Sequence, residues 1–250
     1  MPADLPQSSI PPGARVARTV PTNHALLWYR EAMRLWKRGP VTFMALALAT
    51  LLVDFGLSLI PTGGVLLAQI AVPLAACGLL YASLAADRGG RPRLADIAAI
   101  VGASTEAMAA VIVSGAIVFA AEAAAAYAVG GVNMLLPGLR DATITPGTIL
   151  AIYAIGMAVS LPVTFVPFAA LFDGLGFRAS FAQSVDGFAR NPGALALYGA
   201  LSLALLLFGW ATAGIGFLFT LPWWAASSYA AWKDIFGVDH RDSGSAPHPP

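Results

Sequence analysis

The chain has 250 residues, 58% of them hydrophobic and 11% charged, with a net charge of +1 at neutral pH. Ordinary soluble domains carry roughly 25% charged residues, so this chain lacks the polar surface to cover a water-facing exterior, and lipid must solvate part of it. No nucleic-acid partner is expected, and the single cysteine, Cys77, excludes an intramolecular disulfide and reads as a small buried hydrophobe in an apolar run.

In chain order, residues 1–22 are polar and proline-rich with no apolar core of a cleavable signal, and they read as a disordered cytoplasmic tail. Residues 23–237 read as one integral membrane domain. It opens with an amphipathic helix over His24–Arg38. At 100° per residue, Leu26, Trp28, Tyr29, Ala32, Met33, Leu35 and Trp36 gather on one face, and Arg30, Glu31, Arg34, Lys37 and Arg38 on the other, with Leu27 the exception. Thr22 or Asn23 is positioned to cap it, and basic residues on the polar face describe a helix lying in the membrane interface.

A spanning helix needs about 20 mainly apolar residues, and six segments qualify. They are Val41–Ile60, Gly64–Ala86, Thr105–Ala128, Thr148–Phe172, Gly193–Trp210 and Gly214–Ala231. Short links at Pro61-Thr62-Gly63 and Ala211-Thr212-Ala213 force the first and last pairs into antiparallel hairpins. The middle pair is joined by a longer loop, about Gly130–Gly147, whose apolar Met134-Leu135-Leu136 patch is expected to dip into the interface. Two further amphipathic stretches precede the later hairpins. Residues 177–190 carry a Phe177, Phe181, Val185, Phe188 stripe, and residues 93–103 a weaker one through Leu94, Ile97, Ala98 and Val101. Residues 238–250 read as a second disordered tail.

The basic residues are sorted: thirteen of the fourteen Lys and Arg fall on one side of the threaded spans, and Arg140 is the exception. The positive-inside rule then puts both termini in the cytoplasm of a bacterial inner-membrane protein and the three hairpin tips outside. An internal parallel repeat follows from matched positions. Trp36-Lys37-Arg38-Gly39-Pro40 aligns with Phe188-Ala189-Arg190-Asn191-Pro192, Phe55-Gly56 with Phe208-Gly209, and Pro73, Tyr81 and Asp87 with Pro222, Tyr229 and Asp234. The middle unit keeps Pro162 or Pro167, then Asp173.

Chemistry is sparse. Asp54 and Glu122 are the ionisable residues well inside spans, where an acidic group costs about 2.5–3.5 kcal/mol to insert, so each must face protein, water or the interface. They are candidate functional carboxylates or, alternatively, an interface-reaching and an interhelical hydrogen-bonding group. Pro73, Pro162, Pro167 and Pro222 each sit in the returning helix of a hairpin as candidate kinks, either marking a site between repeats or accommodating packing. Trp210, Trp223, Trp224 and Trp232 read as an aromatic belt with contacts to the inner interface. The only histidines are His24, His240 and His248, which removes His-based triads, His-ligated metal sites and H-E-x-x-H motifs; no catalytic residue, metal ligand or cofactor is expected. Arg30, Arg34, Lys37 and Arg38 are the candidate contacts to anionic lipid headgroups, each worth about 1 kcal/mol near a charged leaflet, unless they only set topology.

Three segments carry a resemblance: Trp28-Tyr29 through Trp36 to Pro40; Leu80-Tyr81 to Asp87-Arg88-Gly89-Gly90; and Tyr229-Ala230-Ala231-Trp232-Lys233-Asp234-Ile235-Phe236. Across roughly residues 25–237 the chain resembles an uncharacterised family of bacterial polytopic inner-membrane proteins. More distantly it is similar to the membrane domain accompanying some glycerophosphodiester phosphodiesterases. The Ala-rich middle hairpin departs most. The resemblance implies a fold and a compartment, and no activity. The expected protein is thus an all-α bundle of six spans in three hairpins. Its expected role is a non-enzymatic scaffold, accessory or lipid-interacting component, with a possible protein partner in the membrane. The alternative is a small transporter or channel using Asp54 and Glu122.

Overall fold

A computed structural model describes residues 13–61, 63–135 and 144–238. Among them every regular element is helical. They are α1 (His24–Trp36), α2 (Pro40–Ser58), α3 (Gly64–Asp87), α4 (Thr105–Gly130), α5 (Pro146–Ser160), α6 (Val166–Leu171), α7 (Phe177–Arg190), α8 (Pro192–Ala211) and α9 (Phe217–Phe236), with 3₁₀ turns at Leu94–Gly102 and Leu161–Val163. Residues 136–143, including Arg140, lie outside the described residues, as do 1–12 and 239–250 of the two expected tails.

Local chemistry sets the ends. Pro40, Pro146 and Pro192 open α2, α5 and α8, where a missing N–H costs nothing and φ is already helical. Ser104 accepts the Ala107 N–H at the start of α4. Gly237, at φ +62°, closes α9 in the left-handed conformation that a side chain would resist. Asn23 occupies the cap position of α1 but its side chain makes no capping bond.

Five helical rods are long and apolar enough to cross a membrane: α2, α3, α4, the α5–α6 rod Pro146–Leu171, and α8. That is the make-up of a multi-pass membrane protein. Helix α9 is not among the five. Thr220, Ser227, Ser228, Lys233 and Asp234 dilute its apolar character, and it runs through the interior of the bundle against α1, α2, α3 and α8. Its Tyr229, Trp232, Ile235 and Phe236 are buried, and Trp232 stacks on Phe168 with ring centroids 5.5 Å apart. Trp232 is therefore a core residue and not part of an aromatic belt.

The segment expected to be one span over Thr148–Phe172 is broken. Pro162 and Pro167 interrupt the backbone ladder between α5 and α6, and α7 repairs the gap. Ser184 donates to the Pro162 carbonyl at 2.7 Å and accepts the Phe165 N–H at 3.0 Å. Helix α7 achieves this by burying a small polar stripe, Ser180, Gln183, Ser184 and Gly187. Its expected apolar stripe is left half-buried at Phe177, Phe181 and Phe188 and exposed at Val185.

Helix α1 does the opposite. Its apolar residues Ala25, Trp28, Ala32 and Leu35 are buried against protein, chiefly α9, while Leu26 and Leu27 stay exposed. In the third stretch, Ile100 is buried and Ile97 sits on Gly78 of α3, while Leu94 and Val101 face outward.

The expectation of a disordered tail through residue 22 fails for its second half. Residues 13–22 form an extended strap across the ends of α7 and α9. Ala17 and Val20 are buried, Arg18 N–H donates to the Ile235 carbonyl, and Val20 N–H donates to Asn191 Oδ1. Asn191 returns a bond from Nδ2 to the Arg18 carbonyl.

Candidate functional site at the basic end

The strap, α1, and the ends of α3, α6 and α9 meet at one end of the bundle, tied by three carboxylates. Asp87, at the end of α3, has a side chain only 5% exposed and receives Arg34 at 3.1 Å, Lys233 at 2.5 Å and the Tyr229 hydroxyl at 3.1 Å. Asp173, just after α6, has a fully buried side chain and receives Arg15 Nε at 2.7 Å and Gln183 Nε2 at 2.8 Å. Asp234, near the end of α9, receives Arg18 at 2.6 Å, His24 at 2.7 Å and the Trp28 indole at 2.9 Å. Partial burial works to raise the Asp234 pKa, but the bonds from His24, Trp28 and Arg18 outweigh it and hold the carboxyl below its usual range.

Between α1 and the end of α9 lies a cleft of about 510 Å³. Arg18, His24, Arg30, Arg34, Lys233 and the carboxylates Glu31 and Asp234 line it. Four permanent cations thus face two anions, so the cleft carries a positive excess. Arg34 is engaged by Glu31 and Asp87, Lys233 by Asp87 and Arg18 by Asp234. Arg30 is exposed and makes no ion pair among the described residues. Of the four cations expected to hold headgroups, then, Arg30 and Arg34 line the cleft, Lys37 is exposed beyond it and in no ion pair among the described residues, and Arg38 donates to the Ala86 carbonyl.

The intramembrane candidates lie elsewhere and apart. Asp54 is exposed, one turn from the end of α2 at Ser58. Glu122 of α4 packs into the notch at Gly156 of α5, where an added Cβ would stand 2.2 Å from its Oε1. Two of the prolines, Pro73 and Pro167, border a separate apolar cavity between α3, α4, α6, α8 and α9, and neither carboxylate borders it. Pro222 is buried in α9, and Pro162 occupies the 3₁₀ turn repaired by Ser184.

Sequence reasoning missed Arg15, Arg18, His24, Lys233 and Gln183 as parts of one site. The aligned Asp87, Asp173 and Asp234 were the available signal, since each falls at or near the end of a helix. Among the described residues no group of three or more His, Cys, Asp or Glu side chains is arranged to hold a metal.

Fold and site together define a helical multi-pass membrane protein with a basic, ion-paired end. Comparison with family models, with curated proteins and with solved structures returns no match.

Proposed function

We propose that the protein is a non-enzymatic accessory component of the bacterial inner membrane that holds anionic lipid headgroups at its cytoplasmic face. The observation that carries this reading is the cleft lined by Arg18, His24, Arg30, Arg34 and Lys233, with Arg30 in no ion pair among the described residues and the net charge of its walls positive. A phosphate oxygen is a good acceptor for a guanidinium, and a cytoplasmic leaflet rich in anionic lipid presents phosphates at this depth. In this reading the basic end is cytoplasmic, α9 is a sixth span returning beside α8, and the three hairpins are repeats. Asp87, Asp173 and Asp234 support the repeat, because each accepts a cation at the end of a returning helix. The exposed apolar edge of α7, at Val185, suits a helix lying in the interface. The transport alternative draws less support, since Asp54 and Glu122 neither meet nor border the central cavity.

The test is lipid retention. Protein extracted in native lipid without detergent is compared, by mass spectrometry of the bound lipid, with a variant carrying Arg30→Gln and Lys37→Gln. Enrichment of phosphatidylglycerol or cardiolipin over bulk in the wild type, lost by at least about threefold in the variant, is the expected result. Equal enrichment in both, or none in either, overturns the proposal.

A further inference from the structure

Outside the α1–α9 cleft, a second group of cations gathers where α1 turns into α2 and where α3 turns into the 3₁₀ stretch Leu94–Gly102. Lys37 and Arg38 come from the first junction, and Arg88, Arg91 and Arg93 from the second. All are exposed, and none makes an ion pair among the described residues. Packing brings these two distant segments together. Gly39 lies so close to Pro92 that an added Cβ would stand 3.1 Å from the proline Cδ. Arg38 also donates to the Ala86 carbonyl at the end of α3. Nearby carboxylates do not neutralise the group. Asp87 is engaged by Arg34, Lys233 and Tyr229, while Asp96 accepts the Arg93 backbone N–H at 2.8 Å. Setting topology requires cations to lie on one side of the membrane, not to converge on one spot. Converging like charges repel, and an anion between them removes that cost.

The surface that continues from these cations is apolar and open. The Ile97 backbone rests on Gly78, where an added Cβ would stand 2.8 Å from the Ile97 Cα. Gly78 lies roughly 13 Å before the end of α3 at a helix's rise per residue, so the 3₁₀ stretch runs back along the side of an apolar rod. Its Leu94 and Val101 are 60% and 79% exposed, and Val41 at the start of α2 is 78% exposed. A soluble acidic segment would leave these side chains in water, whereas the acyl chains beneath a headgroup cover them.

We propose that the two junctions together bind a phospholipid carrying two phosphates, of the cardiolipin type, at a place separate from the α1–α9 cleft. One phosphate pairs with Lys37 and Arg38, the other with the arginines at 88, 91 and 93, and acyl chains lie along Val41, Leu94 and Val101. Guanidinium forks match phosphate oxygens bidentately. Two phosphates joined through a glycerol suit two cation groups held on separate segments, and one phosphate neutralises only one of them. The proposal rests on the reading that the basic end faces an anionic leaflet, and adds to it the identity of the lipid and a second place for it.

The experiment titrates the full chain, in a neutral detergent, with cardiolipin or with phosphatidylglycerol at equal phosphate, and counts bound lipids by native mass spectrometry. Wild type is expected to hold one cardiolipin at least about tenfold more tightly than phosphatidylglycerol. The triple variant Arg88→Gln, Arg91→Gln, Arg93→Gln should lose at least about tenfold in that affinity. The triple variant Arg88→Lys, Arg91→Lys, Arg93→Lys keeps the charges that set topology, and should stay within about threefold of wild type. Arg30→Gln, which disables the cleft, should leave this cardiolipin in place. If Arg30→Gln loses the lipid and the triple Gln variant does not, the cleft reading stands and this proposal falls. A triple Lys variant as weak as the triple Gln variant, or no preference for cardiolipin over phosphatidylglycerol, overturns it as well.

Discussion

Asp87 ties three helices together at the basic end. It draws Arg34 from α1 and both Lys233 and Tyr229 from α9, so one carboxylate joins three helices. Removing one partner of a buried ion pair leaves the others uncompensated, which costs about 3–5 kcal/mol when fully buried. Arg34 is 37% exposed and Lys233 20%, so solvent recovers part of this, and Asp87→Asn is expected to cost about 2 kcal/mol in reversible unfolding from mixed micelles. Asp234 makes a pH prediction. Its folded pKa is depressed, so the folded protein binds fewer protons than the unfolded chain, and the stability it contributes is complete above the unfolded value near about 4. That contribution is lost as pH falls through the folded value. Thermal melts between neutral and acidic pH should show a destabilisation below about pH 4 that Asp234→Asn reduces, because the variant no longer pairs with Arg18 of the strap even at neutral pH. These aspartates were visible in the sequence as aligned positions. Their partners were not, because Asp234 and Arg18 lie far apart in the chain and no periodicity links them.

At the scale of elements, amphipathicity told which helices have two faces and not which face meets protein. Helices α1 and α7 both pattern as interface helices, yet α1 buries its apolar stripe against α9 whereas α7 buries Ser180, Gln183, Ser184 and Gly187. The difference lies in what each must satisfy. The α1 face meets the aromatic end of α9, while the α7 face meets a proline break with an unpaired carbonyl and N–H. Ser184 answers both groups at once, so Ser184→Ala is expected to destabilise the protein by about 1–3 kcal/mol, whereas Val185→Ala on the exposed edge should change stability by less than about 0.5 kcal/mol. Paired denaturation curves check both. Prolines at 162 and 167 announced a break in the sequence; that a helix beyond the break would fill it did not follow from any local pattern. Nor did the order of residues 13–22, whose composition is that of a tail and whose hydrogen bonds go to Gln183, Asn191, Asp234 and Ile235.

In the proposed reading the molecule is a set of hairpins that start and finish at the basic end, and that orientation makes an accessibility prediction. With Cys77 buried and silent, single cysteines at Ser58 and Ile215, both exposed near hairpin tips, should react with an impermeant maleimide added to spheroplasts, and one at Arg91 should react only after lysis. Protection of Ile215→Cys together with labelling of Ser58→Cys would remove α9 from the set of spans. What the sequence by itself determined is the class: long apolar runs, short links that make hairpins, and sorted basic residues are local properties, and the bilayer imposes them on any chain that crosses it. What only the tertiary structure decided is which groups are left satisfied and which are not. Glu122 in the Gly156 notch, the three paired aspartates and the cleft between α1 and α9 all depend on contacts between distant segments. Such contacts are set by how helices pack side by side, and a single chain's hydrophobic pattern records where a helix runs but not which neighbour it will meet.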